Sequence, residues 1–139
     1  MGNTTVTWVK GMQFAAVDST NHSVLLSTTD EGVGMKPSEL LLSALGSCTA
    51  VDVVSILQKR RQQLTGLEIV VTGEQAEEHP KAFTRFHIRY IVTGVDINPA
   101  DVERAINLSE EKYCSVAATL RAGAEITYDY EVVEAGVRA

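Results

Sequence analysis

The two cysteines, Cys48 and Cys114, are the residues of this 139-residue chain best suited to redox chemistry. A thiol reacts as its thiolate, which requires a nearby cation, a helix N-terminus or a base. The two residues lie far apart in the sequence, so only the fold could bring them within disulfide distance. A buried free cysteine also often serves simply as a small hydrophobic residue. The residue types alone therefore leave the role of both thiols open.

The immediate sequence around each cysteine does not decide that role. Cys48 lies about three turns inside the apolar run that begins at Pro37, where the field of a helix N-terminus is weak. Asp52 follows four residues later and would share a helix face with Cys48, and its negative charge would oppose formation of the thiolate. Cys114 lies near the start of a second helical segment, with Lys112 as a nearby cation.

Other catalytic and binding motifs are absent from the sequence. The three histidines, His22, His79 and His87, show none of the spacings that bind metals. The alternating residues around His87 predict a surface position on a strand. No glycine-rich phosphate-binding loop and no Gly-x-Ser-x-Gly motif occurs. We therefore expect neither a metal site nor a bound cofactor.

The net charge of −6 argues against nucleic acid as a partner, because phosphate binding depends on lysine and arginine. The basic cluster at 59–61 is expected to be the solvated C-terminal end of a helix. The apolar run at 37–57 approaches membrane-spanning length, but it contains Glu39 and Asp52. A central carboxylate costs about 2.5–3.5 kcal/mol in a membrane span. We therefore interpret the run as a buried core helix and expect no membrane contact.

The start of the chain bears on its location. We expect no signal peptide, because residues 1–5 lead directly into an alternating strand pattern. We expect a cytoplasmic protein, in which two cysteines are more typical of a reduced, working pair than of a structural disulfide.

Hydrophobic periodicity predicts the elements that must position the two cysteines. One long helix should begin at Pro37, and Asn98 followed by Pro99 should start another. The expected strands are 4–11, 12–19, 22–30, 67–80, 82–94 and 124–134. The expected helices are one at about 37–63, and one or two over the segments 98–113 and 114–123. This grouping of strands predicts a single α+β domain over residues 1–139, with largely antiparallel sheets.

The long helix is apolar nearly all round, which is typical of a helix packed on several sides. Small residues lie near Cys48, at Ser43, Gly46, Ser47 and Ala50. They would allow another backbone to approach closely, and packing against a sheet explains them equally well.

Two motifs resemble a known family. "PSELLLSALGSCTAVDVVSIL" and the later "LSEEKYCSVAATL" look like the two cysteine helices of the OsmC/Ohr family (osmotically inducible protein C and organic hydroperoxide resistance protein). "DVVSILQKRRQ" and "FTRFHIRYIVTG" look most like its YhfA-like branch. The order of strands and helices matches over essentially the whole chain. The resemblance implies an OsmC-like fold in an intertwined homodimer, with a long central cysteine helix, six-stranded antiparallel sheets outside it and active sites at the subunit interface.

The resemblance also implies thiol-dependent reduction of organic hydroperoxides. Cys48 matches the thiolate that attacks the distal peroxide oxygen and becomes a sulfenic acid. Cys114 matches the resolving thiol that condenses with this sulfenic acid to form a disulfide. A dithiol reductant would then restore both thiols by exchange.

Three positions differ from the peroxidase members of the family. Those members have a glutamate directly after the proline of the cysteine helix, where this chain has Ser38, and the carboxylate lies instead at Glu39. Glu39 is about two and a half helical turns from Cys48, on the opposite face of a regular helix. We retain it as a candidate catalytic residue, because it could still approach from an irregular first turn or from the other subunit. The second motif reads Cys-Ser-Val in place of the usual Cys-Pro-Val.

The third difference from the peroxidase members concerns the cation that stabilises the thiolate. The family uses an arginine from the N-terminal strands, whereas this chain has no arginine before Arg60. Lys10 and Lys36 are the early cations, and Arg85 and Arg89 are later candidates. A lysine does not reproduce the hydrogen-bonding fork of a guanidinium group.

These differences leave two alternatives beside the peroxidase. One is a non-catalytic OsmC-fold dimer that binds a small apolar or thiol-reactive molecule. The other is a redox sensor or structural protein whose cysteines oxidise slowly or not at all. A co-purifying ligand would favour the first, and slow oxidation without selectivity for the peroxide would favour the second.

Overall fold

The computed structural model describes residues 2–136. Contacts divide the chain into two compact units, one up to Leu41 and the other from Leu42 onward. The first unit is a three-stranded antiparallel sheet in the order β1–β2–β3. Its strands are β1 (Thr4–Lys10), β2 (Gln13–Asp18) and β3 (Ser23–Ser27), and a 3-10 turn (Thr29–Glu31) follows.

Strand β1 is exposed along its whole length. Val6 and Trp8 alternate with Val9 along it, so both of its faces carry exposed apolar side chains. Further apolar side chains of this unit are also exposed: Met12, Val17, Val24, Leu25, Val33 and Met35. Such a concentration of exposed apolar surface on one small sheet is typical of a face that another chain covers.

The second unit contains a sheet in the order β4–β5–β6 and the helices that pack on it. The strands are β4 (Gln63–Gln75), β5 (Phe83–Val95) and β6 (Glu125–Glu134). Helix α1 (Pro37–Lys59) precedes them, and α2 (Pro99–Leu108), a π-helical segment (Ser109–Tyr113) and α3 (Ser115–Arg121) connect β5 to β6. This long connection lets β6 pair parallel to β5. The other three strand pairings are antiparallel, which confirms a largely antiparallel α+β fold.

The core of the second unit forms where α1 meets the sheet. One stripe of α1 is buried, at Leu45, Gly46, Thr49, Val53 and Leu57. An added methyl group at Gly46 would lie 3.0 Å from the side chain of Val71 in β4, so this glycine allows the helix to approach the sheet. Packing against a sheet is thus the explanation for Gly46.

The expectation that α1 packs on several sides is not met within one chain. Ser43 and Ser47 lie on an exposed face of the helix together with Val51, which is 69% exposed. By length and composition alone α1 could span a membrane. Its buried stripe on the sheet is instead what the core helix of a folded domain shows.

Helix α1 ends four residues earlier than the sequence predicted. Arg61 adopts a left-handed conformation with φ of 58°. The Gln62 N–H donates to the Leu57 carbonyl and the Arg61 N–H to the Gln58 carbonyl, which closes a Schellman turn. The chain therefore reverses at once, and β4 begins at Gln63 instead of after Gly66.

The basic cluster at 59–61 was expected to be solvated, but Arg60 makes part-buried contacts. Arg60 donates from Nε and Nη2 to Asp101 Oδ1, at 3.1 and 2.7 Å, and Gln62 donates to Asp101 Oδ2 at 3.0 Å. Asp101 is buried in the first turn of α2.

The predicted start of α2 is confirmed, because the Asn98 side chain accepts a hydrogen bond from the Ala100 N–H.

Candidate functional site

The fold brings Cys48 and Cys114 together within the second unit. Cys48 lies on α1 and is half-buried, and Cys114 caps the N-terminus of α3 and is buried. The Cys114 Sγ accepts a hydrogen bond from the Ala117 N–H at 3.3 Å. The Cys48 side chain lies within hydrogen-bonding reach of the Cys114 thiol. Both cysteines are free thiols in this structure.

The two cysteines are not equivalent as acids. Burial raises the pKa of Cys114 to about 12, and the interaction with Cys48 and the charge of Glu110 add to the effect. The hydrogen bond from Ala117 lowers this pKa but does not outweigh the other causes. Cys114 is therefore a protonated thiol at neutral pH, which suits a residue that acts only after its partner has been oxidised.

A continuous chain of hydrogen bonds links the region after Cys48 to the region before Cys114. We call it the hydroxyl chain, and its members are Asp52, Ser109, Thr49, Tyr90 and Glu110. Ser109 Oγ lies 2.8 Å from Asp52 Oδ2 and 2.9 Å from Thr49 Oγ1. Tyr90 Oη lies 2.8 Å from Thr49 Oγ1 and 3.2 Å from Glu110 Oε1.

Four of these five side chains are buried in the core. Thr49, Tyr90 and Ser109 have no exposed surface, and Glu110 is 7% exposed. Asp52 is the exception, because it lines an open cavity of about 340 Å³ together with Lys59 and Tyr113. Hydrogen bonds in such a low-dielectric environment hold the elements that contribute them in a defined arrangement.

Arg121 pairs with the buried carboxyl group of Glu110. Its Nη2 lies 2.9 Å from Glu110 Oε2, and its Nη1 donates to the Glu110 carbonyl oxygen at 2.9 Å. Burial raises the pKa of Glu110, and the contacts with Tyr90 and Arg121 oppose this rise only in part. Burial likewise raises the pKa of Tyr90.

The π-helical segment explains how Ser109 and Glu110, which are consecutive residues, both point into the core. The Cys114 N–H donates to the Ser109 carbonyl at 2.8 Å, a five-residue step that widens the turn. The sequence predicted an uninterrupted helix up to residue 113. Single π-helical turns occur frequently at functional sites.

Two of the cations that the sequence offered as partners for a thiolate, Arg89 and Lys112, make other contacts in the structure. Arg89 pairs with Asp129 and Glu131 on the exposed face of β5 and β6. His87 contacts Asp129 on the same face, which agrees with its predicted surface position. The Lys112 ammonium lies over the exposed Tyr113 ring, 5.6 Å from its centroid.

Two charged residues of the site were missed from the sequence. Arg121 follows Cys114 by two turns of helix, and this spacing was the available signal. Glu110 resembles any surface glutamate in its sequence context, and only the π-helical turn directs it inward. Lys10, Lys36 and Glu39 belong to the first unit, and a role for them in the chemistry stays a prediction.

The sequence of the chain matches a known family over most of its length. Residues 28–129 match the family model described as OsmC-like protein. The chain is 45% identical over 130 residues to Protein YhfA of Escherichia coli (strain K12), in an alignment that covers 94% of this chain and 97% of YhfA. The chain belongs to the OsmC-like protein family. The family resemblance of the two cysteine motifs is thereby confirmed.

Solved structures extend the likeness to more distant proteins. The crystal structure of an OsmC-like protein from Mycoplasma pneumoniae has a TM-score of 0.83 and 14% identity, covering 96% of this chain and 97% of that chain. The organic hydroperoxide resistance protein OhrB of Bacillus subtilis has a TM-score of 0.62 and 13% identity, covering 93% and 98%. At these identities the likeness shows the fold alone, which confirms the OsmC-like α+β prediction.

Proposed function

We propose that this OsmC-like protein is a thiol-dependent peroxidase that reduces organic hydroperoxides through Cys48 and Cys114. The observation that supports the proposal most is the pair of free thiols held side by side, one half-buried and the other buried and protonated. The half-buried Cys48 is the thiol that a substrate can reach. The buried Cys114 is protected from peroxide and has Cys48 as its neighbour.

In the proposed reaction the Cys48 thiolate attacks the distal oxygen of the hydroperoxide. An S–O bond forms, the O–O bond breaks, and the alkoxide takes up a proton to leave as an alcohol. The Cys114 sulfur then attacks the Cys48 sulfenic acid, so that an S–S bond forms and the S–O bond breaks. Hydroxide leaves with the Cys114 proton as water. A dithiol reductant restores both thiols by two exchange steps, which suits the cytoplasmic location expected from the sequence.

The proposal includes a homodimer. The exposed apolar side chains of β1–β3 and the exposed face of α1 around Ser47 and Val51 support it, since one chain leaves both surfaces uncovered. The six-stranded sheets implied by the family would combine two of the three-stranded sheets described here. Sedimentation of the reduced protein over a range of concentrations measures the oligomeric state, and a monomer at all concentrations would contradict the dimer.

The decisive experiment treats the fully reduced protein with one equivalent of cumene hydroperoxide, and separately with hydrogen peroxide. Intact mass and free thiols are followed over seconds. We expect rapid loss of both thiols with the organic peroxide, with a mass decrease corresponding to two hydrogen atoms. Cys48→Ser should abolish peroxide consumption. Cys114→Ser should allow at most one turnover and leave a sulfenic acid on Cys48.

Two outcomes would favour the alternatives. If no thiol is lost over minutes, the peroxidase is excluded, and a ligand that co-purifies with the protein would then support a binding function. If oxidation is slow and does not distinguish the two peroxides, the cysteines act as a sensor or have only a structural role. Serine preserves the size of each cysteine, so loss of reaction in these variants is attributable to the sulfur.

A further inference from the structure

A buried carboxylate lies beside the resolving thiol. Glu110 precedes Cys114 in the π-helical segment, and only 7% of it is exposed. It accepts a hydrogen bond from Tyr90 Oη at 3.2 Å and one from Arg121 Nη2 at 2.9 Å. Accepting from both donors is the behaviour of an ionised carboxyl group. Burial raises the pKa of Cys114, the contact with Cys48 adds to this rise, and the negative charge of Glu110 raises the pKa further.

Arg121 supplies the opposite charge. It lies two turns after Cys114 on the same face of α3, and its side chain reaches back to the residue that precedes the cysteine by one turn. Its two terminal nitrogens donate to the carboxylate Oε2 and to the carbonyl oxygen of Glu110, each at 2.9 Å. Burial raises the pKa of Glu110, and the contacts with Tyr90 and Arg121 lower it. Among residues 2–136, no other lysine or arginine contacts this carboxyl group.

The neighbouring ionisable groups carry no positive charge that could replace Arg121. Cys48 on α1 and Tyr90 on β5 lie near the resolving thiol, and Tyr128 on β6 lies near Glu110. Burial raises the pKa of both tyrosines, so both stay neutral at physiological pH. Without Arg121, the negative charge of Glu110 would act on the resolving thiol unopposed in a low-dielectric environment.

The backbone holds Cys114 in place independently of this charge. The Cys114 N–H donates to the Ser109 carbonyl at 2.8 Å, and the Ala117 N–H donates to Cys114 Sγ at 3.3 Å. Neither bond involves Arg121. Removal of the Arg121 charge should therefore change the electrostatic field at the thiol while these two bonds keep the direction of its side chain.

We propose that Arg121 is a positioning residue for the resolving step, because it neutralises the charge of Glu110 that would otherwise oppose attack by Cys114. This inference rests on the proposed peroxidase function. As Cys114 attacks the Cys48 sulfenic acid, its proton leaves with the hydroxide as water, and negative charge develops on its sulfur until the S–S bond has formed. An uncompensated carboxylate nearby disfavours that charge. The earlier attack by Cys48 on the peroxide places no charge on Cys114.

The test isolates the attack of Cys114 on a modified Cys48 and needs no peroxide. DTNB, an aromatic disulfide, reacts first with the accessible Cys48, which leaves thionitrobenzoate bound to this residue and releases one coloured thiolate. Cys114 then attacks the Cys48 sulfur, so that the Cys48–Cys114 bond forms and the bond to thionitrobenzoate breaks. A second coloured thiolate leaves, and the Cys114 proton passes to the solvent. Stopped-flow absorbance separates the two phases, and Cys114→Ser should show only the first.

Arg121→Gln should slow the second phase at least about threefold and leave the first within about twofold of the wild type. A nearby charge shifts the pKa of a thiol by roughly one unit or more, and the higher nucleophilicity of a more basic thiolate offsets part of the lost thiolate. Adding Glu110→Gln to this variant should return the second phase to within about twofold of the wild type, because no charge is then left unpaired. Arg104→Gln is the matched control, since it removes an exposed arginine from α2.

Three results would overturn the proposal. The second phase could be unchanged or faster in Arg121→Gln, it could stay slow in the double variant, or both phases could slow equally. If Arg121→Gln does not fold, Glu110→Gln alone decides, because it leaves no buried charge without a partner. A faster second phase in Glu110→Gln supports the proposal, and an unchanged or slower one refutes it. The DTNB reaction does not depend on peroxide, so this test can fail while the peroxidase stands, and the reverse.

Discussion

The hydroxyl chain should contribute measurably to stability, and Thr49→Val tests this with little change of shape. Valine has nearly the volume of threonine but no hydroxyl group, so the contacts to Tyr90 and Ser109, at 2.8 and 2.9 Å, are lost. A buried hydrogen bond contributes about 1 kcal/mol net, and each of the two partners keeps one other contact. We therefore expect a loss of about 2 kcal/mol in the free energy of unfolding.

Urea unfolding at a fixed protein concentration measures this loss. With a slope of about 2 kcal/mol per molar urea, the midpoint should fall by about 1 M. Thr119→Val is the matched control, because it makes the same change on a helix where the hydroxyl group is exposed and, within residues 2–136, donates only to the Ser115 carbonyl. The control should lie within about 0.5 kcal/mol of the wild type. If Thr49→Val behaves like the control, the hydroxyl chain is not a stabilising feature of the folded protein.

Two further predictions concern the cysteines and the helix that carries Cys48. Iodoacetamide should label Cys48 first at neutral pH. Cys114 should react only in strongly alkaline solution or after unfolding, because burial raises its pKa to about 12. Peptide mass spectrometry measures both labelling rates, and equal rates would contradict the assignment of Cys48 as the accessible thiol and Cys114 as the protonated one. Gly46→Val should destabilise the protein by about 1–3 kcal/mol, since the new side chain meets Val71 at 3.0 Å or less. Ala118→Val, which adds a comparable side chain at an exposed position of α3, is its control in the same urea titration.

The elements of the fold could be predicted because each depends on local patterns. The alternation from Phe86 to Val92 predicts β5, and Asn98 followed by Pro99 predicts the start of α2. The predicted end of α1 lay four residues too late in the sequence. The helix stops early because Arg61 adopts a left-handed conformation that usually requires glycine. Parallel pairing of β5 with β6 depends on how the helical connection crosses the sheet, and single-strand periodicity carries no such information.

The candidate site could be predicted only in part. The cysteines stand out by residue type, and a family motif relates them. The hydroxyl chain does not stand out, because Thr49, Tyr90 and Ser109 are ordinary residues far apart in the sequence that meet only when α1, β5 and the π-helical segment pack together. The pairing of Arg121 with Glu110 was missed for the same reason, since it depends on which way one turn of the chain faces.

The π-helical segment at 109–113 also makes the site sensitive to chain length. It lies directly between α2, which is anchored in the core by Val102 and Ile106, and Cys114 at the start of α3. Removing one residue there would return the segment to ordinary helical phase and rotate everything after it by about 100°. The Cys114 side chain would then leave its present direction beside Cys48, even if Ser109 and Glu110 were both kept. Among natural relatives and engineered variants, the number of residues between α2 and this cysteine should therefore vary less than their identity.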